Sequence, residues 1–256
     1  MPTPSAESFA ALARSSPWLW STLRFTESRR LHGETRELRA WLRRPDLVRV
    51  EALDGALLQV VRERPQQVSV LTPEGGYVRG LPWPATVELP VRRPDGLVAE
   101  RPDGMSYDAP MYQDYRWVAM LDPVELADGR DPDDGIPVTP SVAVDSVVEV
   151  DHAGRPAWEA VVRTTPVYTP RCGCCPLLRS EAIDLLEYRD YPEHLLAAYP
   201  DAHLVRLDVG TGVCVFTAEI GGLTPGQGHD LRIEAVDDPM DDALFLQPRR
   251  RLFRRQ

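Results

Sequence analysis

Arg171-Cys172-Gly173-Cys174-Cys175-Pro176 places three thiols within four residues and next to a guanidinium. A nearby cation favours the thiolate, which is both a nucleophile and a ligand for soft metal ions, so the segment points to redox chemistry or metal capture. The remaining cysteine, Cys214, is distant in sequence. Structural zinc ordinarily takes paired C-x-x-C ligands that complete a tetrahedron, and this spacing does not supply them. The nearest histidines along the chain, His194 and His203, would have to arrive by folding. The expectation is a cysteine-lined loop in a reducing compartment, with no disulfide, no metal and no cofactor. If a metal binds, Cys172, Cys174 and Cys175 are its candidate ligands.

Other chemistry finds little support. The chain contains no lysine, so a G-x-x-x-x-G-K-[ST] phosphate loop is impossible, and neither G-x-S-x-G nor H-E-x-x-H occurs. Gly210-Thr211-Gly212 lacks the rest of a dinucleotide fingerprint. Asp237-Asp238 and Asp241-Asp242 flank Pro239 in a polar turn, where carboxylates are solvated rather than held in the dry cleft that acid–base catalysis needs. The acidic run from Asp128 to Gly135 does not match a calcium-binding EF-hand loop. No enzyme is indicated. The formal net charge of -10 argues against nonspecific nucleic-acid binding. Residues 21–50 nonetheless hold eight arginines against four acids, while residues 120–151 hold nine acids against one arginine. The two regions either pair with each other, or the arginines form a patch for an acidic protein partner.

These residues must be positioned by short elements, because 25 prolines against 17 glycines in 256 residues leave little room for long helices. Ser5 followed by Phe9, Ala10, Leu12 and Ala13 predicts a short N-terminal helix that stops before Pro17. From Trp18 the period becomes two, giving strands around Leu23–Phe25, Leu38–Leu42, Val48–Ala52, Leu58–Val60 and Val68–Val70. Residues 80–104 carry two Pro-Asp-Gly turns and no sustained period. Asp108 to Leu121 predicts a second helix capped by Asp108 and stopped by Pro123. Alternation resumes in Val142–Val150, Trp158–Val162, Leu204–Asp208, Val213–Ile220 and Leu231–Ala235, with a helical turn at 192–198.

Many antiparallel strands, few helices and no βαβ alternation predict an α+β fold: one strongly curved half-barrel sheet with two or three helices over its concave face. A single domain over residues 1–256 is expected, with an irregular insertion at about 80–107 and an arginine-rich tail from about 249. No apolar run reaches the ~20 residues of a membrane span, and the first residues do not read as a signal peptide, so a cytoplasmic location is expected.

The N-terminal helix, the strand over Trp20–Phe25, the Gly33 turn, Arg39-Ala40-Trp41-Leu42-Arg43-Arg44-Pro45 and Val48-Arg49-Val50-Glu51 resemble the LolA-like lipoprotein-carrier superfamily, which includes RseB-type stress regulators. Leu207-Asp208-Val209-Gly210-Thr211-Gly212-Val213 is similar to its late hairpin turn. The resemblance spans about residues 5–76 and 204–220. It implies a half-barrel wrapped around helices, with a concave apolar cavity for acyl chains and no catalysis. On that reading Leu38, Ala40, Leu42, Val48 and Val50 are the candidate contacts for an apolar small molecule or lipid, and a filled core is the other fate of such stripes. Two alternatives stand beside it: a regulatory module that binds a protein partner without any ligand, and a thiol or zinc protein centred on Cys172, Cys174 and Cys175.

Overall fold

A computed structural model describes residues 3–31, 33–62, 69–71, 77–79, 89–102 and 110–247. The arginine-rich tail, His32, Asp108 and much of the irregular middle segment lie outside the described residues. The period-two segments form β1 (Thr22–Leu31), β2 (Glu34–Arg43), β3 (Leu47–Ala52) and β4 (Leu57–Arg62). In the second half they form β5 (Val142–His152), β6 (Arg155–Thr164), β7 (Ala202–Asp208), β8 (Cys214–Ile220) and β9 (Gly228–Val236). All nine join one sheet in the order β5-β6-β7-β8-β9-β1-β2-β3-β4, each neighbouring pair antiparallel. Two meanders are thus fused by the β1–β9 ladder, which runs from Leu23 opposite Val236 to Arg30 opposite Gly228. The sheet is curved and does not close into a barrel, because β4 and β5 stand at its two edges. Ladder irregularities at Arg24/Phe25, Val50/Glu51, Val144/Val147 and Arg206/Leu207 add the local bends that curvature needs.

Alternation sorts each strand into a concave and a convex side. Leu23, Phe25, Leu38, Ala40, Leu42, Val48, Val50, Trp158, Ala160, Val162, Val205, Leu207, Leu231 and Ile233 are buried in a single hydrophobic cluster. On the other side Arg24 and Arg39 share Glu234, at 3.1 and 3.2 Å. Arg49 pairs with Glu51 and Arg43 with Asp242. Arg24, Arg39, Arg43 and Arg49 therefore meet acids of their own strand and of the C-terminal segment, rather than the acid-rich middle. The exposed pairs among these, Arg24 and Arg39 with Glu234 and Arg43 with Asp242, are worth at most ~1 kcal/mol each.

Among the described residues three α-helices accompany the sheet. α1 (Ala6–Ser15) starts where the Ser5 side chain accepts the Ser8 N–H at 3.1 Å, and it buries Phe9, Leu12 and Ala13. The β7–β8 turn presses on it at Gly212, where φ is +67° and a Cβ would sit 2.7 Å from the Leu12 carbonyl oxygen, so only glycine fits. α2 (Tyr115–Leu121) begins later than its sequence pattern suggests, with Asp114 as its cap residue, because Gln113 turns the chain at φ +67°. Its Trp117 meets Phe25 at a ring distance of 5.3 Å. α3 (Glu181–Glu187) was not expected from sequence. The second Pro-Asp-Gly turn region is partly outside the described residues, but the first closes a small hairpin, Val91–Arg92 with Val98–Glu100. Val98 is fully buried, and its N–H donates to Ser15 Oγ at 2.8 Å.

Candidate functional site

The concave face changes character along the strands. Beyond the apolar stripe the same inward positions become Glu27 and Arg29 on β1, His203 on β7, Thr217 and Glu219 on β8 and His229 on β9. Arg29 pairs with Asp114 at 2.9 Å. His229 makes two hydrogen bonds, Nε2 with the Cys214 carbonyl at 2.8 Å and Nδ1 with Thr217 Oγ1 at 3.0 Å. Burial, then Arg116, pushes its pKa down to about 3. His203 is 4% exposed, neither of its ring nitrogens meets a hydrogen-bond partner among the described residues, and burial lowers its pKa to about 4. Burial acts oppositely on Glu27, pushing it up to about 7 against the pull of Arg29 and Arg116.

The sign of that last shift gives a test. A carboxyl that titrates near 4.5 when unfolded and about 7 when folded costs stability once the pH exceeds the lower value, and the full cost is present above the higher one. Glu27→Gln should raise stability over the parent by about 3 kcal/mol near pH 8, a gap that closes toward pH 5. Urea denaturation at the two pH values measures it.

Over this polar end lies the cysteine loop, which buried charges staple in place. Glu125, 2% exposed, accepts the backbone N–H of Arg171 and of Leu177, each at 3.1 Å, so one carboxylate grips the loop on both flanks. It also accepts the Tyr168 hydroxyl at 2.5 Å. Arg116 donates to the carbonyls of Pro176 (2.7 Å) and Leu177 (2.8 Å) and to Thr217 Oγ1 (2.9 Å), tying the loop to α2 and to β8 at once. Asp122, 1% exposed, pairs with Arg171 at 2.5 Å and with Arg101. Burial works against its ionisation, but the two guanidiniums win and hold its pKa below the usual value. Glu187 of α3 closes over Gly173, where a Cβ would lie 2.2 Å from its Oε2.

The result is a set of three sulfurs, those of Cys172, Cys174 and Cys175, all within 4.8 Å of one another. Cys172 and Cys174 stand 2.8 Å apart, Cys174 and Cys175 3.9 Å. Burial raises the Cys172 pKa, but hydrogen bonds from Cys174 and Cys175 outweigh it, so Cys172 is the most readily ionised of the three. The hydrogen bond with Cys172 holds Cys174 up, and burial pushes Cys175 up to about 12. Cys174 and Cys175 form one wall of an open cavity of about 510 Å³, whose other walls include Arg29, Arg30, Arg116, Arg179, His194 and His203.

Folding thus brings together the three thiols singled out in sequence and sets both histidines beside their cavity. Cys214 is kept apart, fully buried on β8. Leu38, Ala40, Leu42, Val48 and Val50 are each at most 2% exposed and share the core with Phe9 and Leu12 of α1 and Trp117 of α2. Sequence reasoning missed Arg116, Asp122 and Glu125. For Asp122 and Glu125 the signal is a charge inside an apolar run, Trp117-Val118-Ala119-Met120-Leu121-Asp122-Pro123-Val124-Glu125-Leu126, a place where a solvated acid is out of character; Arg116 stands just before it.

Fold and site together define an α+β protein with an open antiparallel sheet, its apolar concavity filled by helices and its polar end carrying a cysteine-walled cavity. No protein-family model matches the chain, and no curated protein does. Among solved structures it is similar to one titled "Crystal structure of MucB", with 16% identity and a TM-score of 0.41. That alignment covers 93% of this chain and 62% of the other, so the chain spans less than two thirds of the length of MucB. Among the described residues no helix is long and apolar enough to cross a membrane.

Proposed function

We propose that the protein is a non-enzymatic binding protein that captures a thiophilic metal ion, of the copper(I) or zinc(II) class, on Cys172, Cys174 and Cys175. The observation that carries this is the convergence of three sulfurs within 4.8 Å on a loop gripped at both flanks by one buried carboxylate. Soft thiolates select these ions, and ligands already held in place avoid the ordering cost that a floppy loop incurs. Copper(I) is satisfied by three sulfurs, whereas zinc takes a fourth ligand from the cavity. A reducing cytoplasm, the location expected from sequence, keeps the thiols available.

Titration of reduced protein under anaerobic conditions tests this. One equivalent of metal is expected to bind with a thiolate-to-metal charge-transfer band. Cys172→Ser or Cys175→Ser should weaken binding by more than about 100-fold, beyond what changing an outer hydrogen-bond partner of a ligand costs. Cys214→Ser should leave it unchanged. Equal affinity in the parent and in the loop variants overturns the reading. Native mass spectrometry sets it against the two others: stoichiometric metal supports it, co-purified lipid favours an apolar ligand in its place, and a bare chain leaves a partner-binding module.

A further inference from the structure

We infer that Cys172 and Cys174 form a reversible disulfide by exchange with a small carboxylate-bearing disulfide that enters the arginine-lined cavity. We infer also that this bond closes the three-sulfur site to metal; the second half rests on the proposed metal site, the first does not.

The geometry selects both the pair and the order of attack. All three loop cysteines are free thiols, and Cys172 and Cys174 are the closest pair at 2.8 Å, against 3.9 Å for Cys174 and Cys175. Bonding the adjacent Cys174 and Cys175 would close an eight-membered ring that distorts the peptide between them, whereas Gly173 gives the chosen pair a flexible bridge. Cys174 is exposed and lines the cavity, so its sulfur meets an incoming molecule first. Cys174 passes its proton to the Cys172 sulfur across the 2.8 Å contact and attacks one sulfur of the small disulfide RSSR, forming a mixed disulfide and expelling RS⁻, which takes the proton on from Cys172. The Cys172 thiolate then attacks the Cys174 sulfur, and a second RS⁻ leaves and is protonated. Two protein thiols are oxidised to one disulfide, and RSSR is reduced to two RSH.

The cavity names the class of RSSR. Arg29 and Arg179 are matched by Asp114 and Asp184. Arg30 forms no ion pair among the described residues, and Arg116 donates only to neutral oxygens. Both line the cavity with Cys174, and two guanidiniums without carboxylates suit a ligand that brings its own. Glu193 and Glu219 also line the cavity and accommodate ammonium groups, so a peptide-like disulfide carrying both charges fits better than a purely cationic one.

Oxidised glutathione is the probe. Incubated with reduced, metal-free protein, it should give a species lighter by two hydrogens, with peptide mapping that joins Cys172 to Cys174. Cys175→Ser should still form the bond, and Cys172→Ser should stop at a mixed disulfide on Cys174. Cystamine, a cationic disulfide, should react several-fold more slowly than it does with the urea-unfolded chain as reference, and Arg30→Ala should narrow the preference for glutathione disulfide. A stable mixed disulfide in the parent, a Cys174–Cys175 bond, or equal relative rates for the two probes overturns the exchange. The oxidised protein should bind no copper(I) or zinc(II), and a reductant should restore binding. Metal bound equally by the oxidised form overturns the regulatory half. Disulfide formation in a protein whose reduced form binds no metal overturns the metal reading and upholds the exchange.

Discussion

Asp122→Ala should destabilise the protein by about 3–5 kcal/mol, the cost of leaving buried cations without their counter-charge. Asp122 is 1% exposed and sits between Arg101 and Arg171, whose side chains are 12% and 18% exposed. Arg101 also donates to the Arg14 carbonyl at 2.8 Å, so the same guanidinium fastens the end of α1. Removing the carboxylate therefore strains two places at once: the C-terminal turn of α1 and the start of the cysteine loop. Urea denaturation gives the loss as a lower midpoint at unchanged slope. Thiol labelling gives the local part, because Cys172 and Cys175 should become faster to alkylate in the folded variant. A change below about 1 kcal/mol would mean that water reaches the two arginines and solvates them. Because Asp122 titrates below its unfolded value of 3.8, its contribution is complete above that pH and is lost as the pH falls further.

Acid should weaken the fold already between pH 7 and pH 5. His229 and His203 are pushed to about 3 and about 4 in the folded state, against 6.5 when free. Below 6.5 the unfolded chain takes up protons that the folded one refuses, so stability falls with pH through this window. At pH 5 each histidine accounts for about 2 kcal/mol of loss. Glu27 works in the opposite sense, since the folded state holds its proton up to about pH 7, and it returns about half of what the two histidines take. The net expectation is a fall of about 2 kcal/mol between pH 7 and pH 5. His203→Leu isolates one contributor, because neither ring nitrogen of His203 has a hydrogen-bond partner among the described residues for the substitution to remove. The variant should retain about 2 kcal/mol over the parent at pH 5 and match it near pH 7.5, measured by urea melts at both. Equal pH dependence in parent and variant would show that His203 is reached by solvent.

The fold was legible where one physical signal dominated. Period-two runs such as Glu37 to Arg43 and Ala157 to Val162 declare both the strand and its buried face, since a one-residue slip would send Leu38, Ala40 and Leu42 to solvent. The cysteine trio was legible as a cluster because it is local in sequence. What makes it a site was not. Glu125 reaches Arg171 and Leu177 across 46 and 52 residues, and Arg116 reaches Leu177 across 61. Contacts of that span leave no periodic trace. The start of α2 was misplaced for a related reason: Met111 and Tyr112 are spaced like helix positions, but Tyr112 is drawn into the core against Trp117, with ring centroids 5.4 Å apart, ahead of the first helical turn. α3 escaped notice because its Leu185 and Leu186 face outward at 50% and 65% exposure, so it shows no amphipathic stripe.

The ladder between β1 and β9 sets the order in which this architecture can assemble. Leu23 finds Val236 only after more than two hundred intervening residues exist, so the chain entropy of that closure is spent late and all at once. Until then each meander carries a long unpaired border, open to the wrong neighbour, and both borders disappear in the same event. During synthesis the N-terminal meander waits on the ribosome for its complement, and it is at this seam that crowding or a chaperone has its greatest leverage on yield.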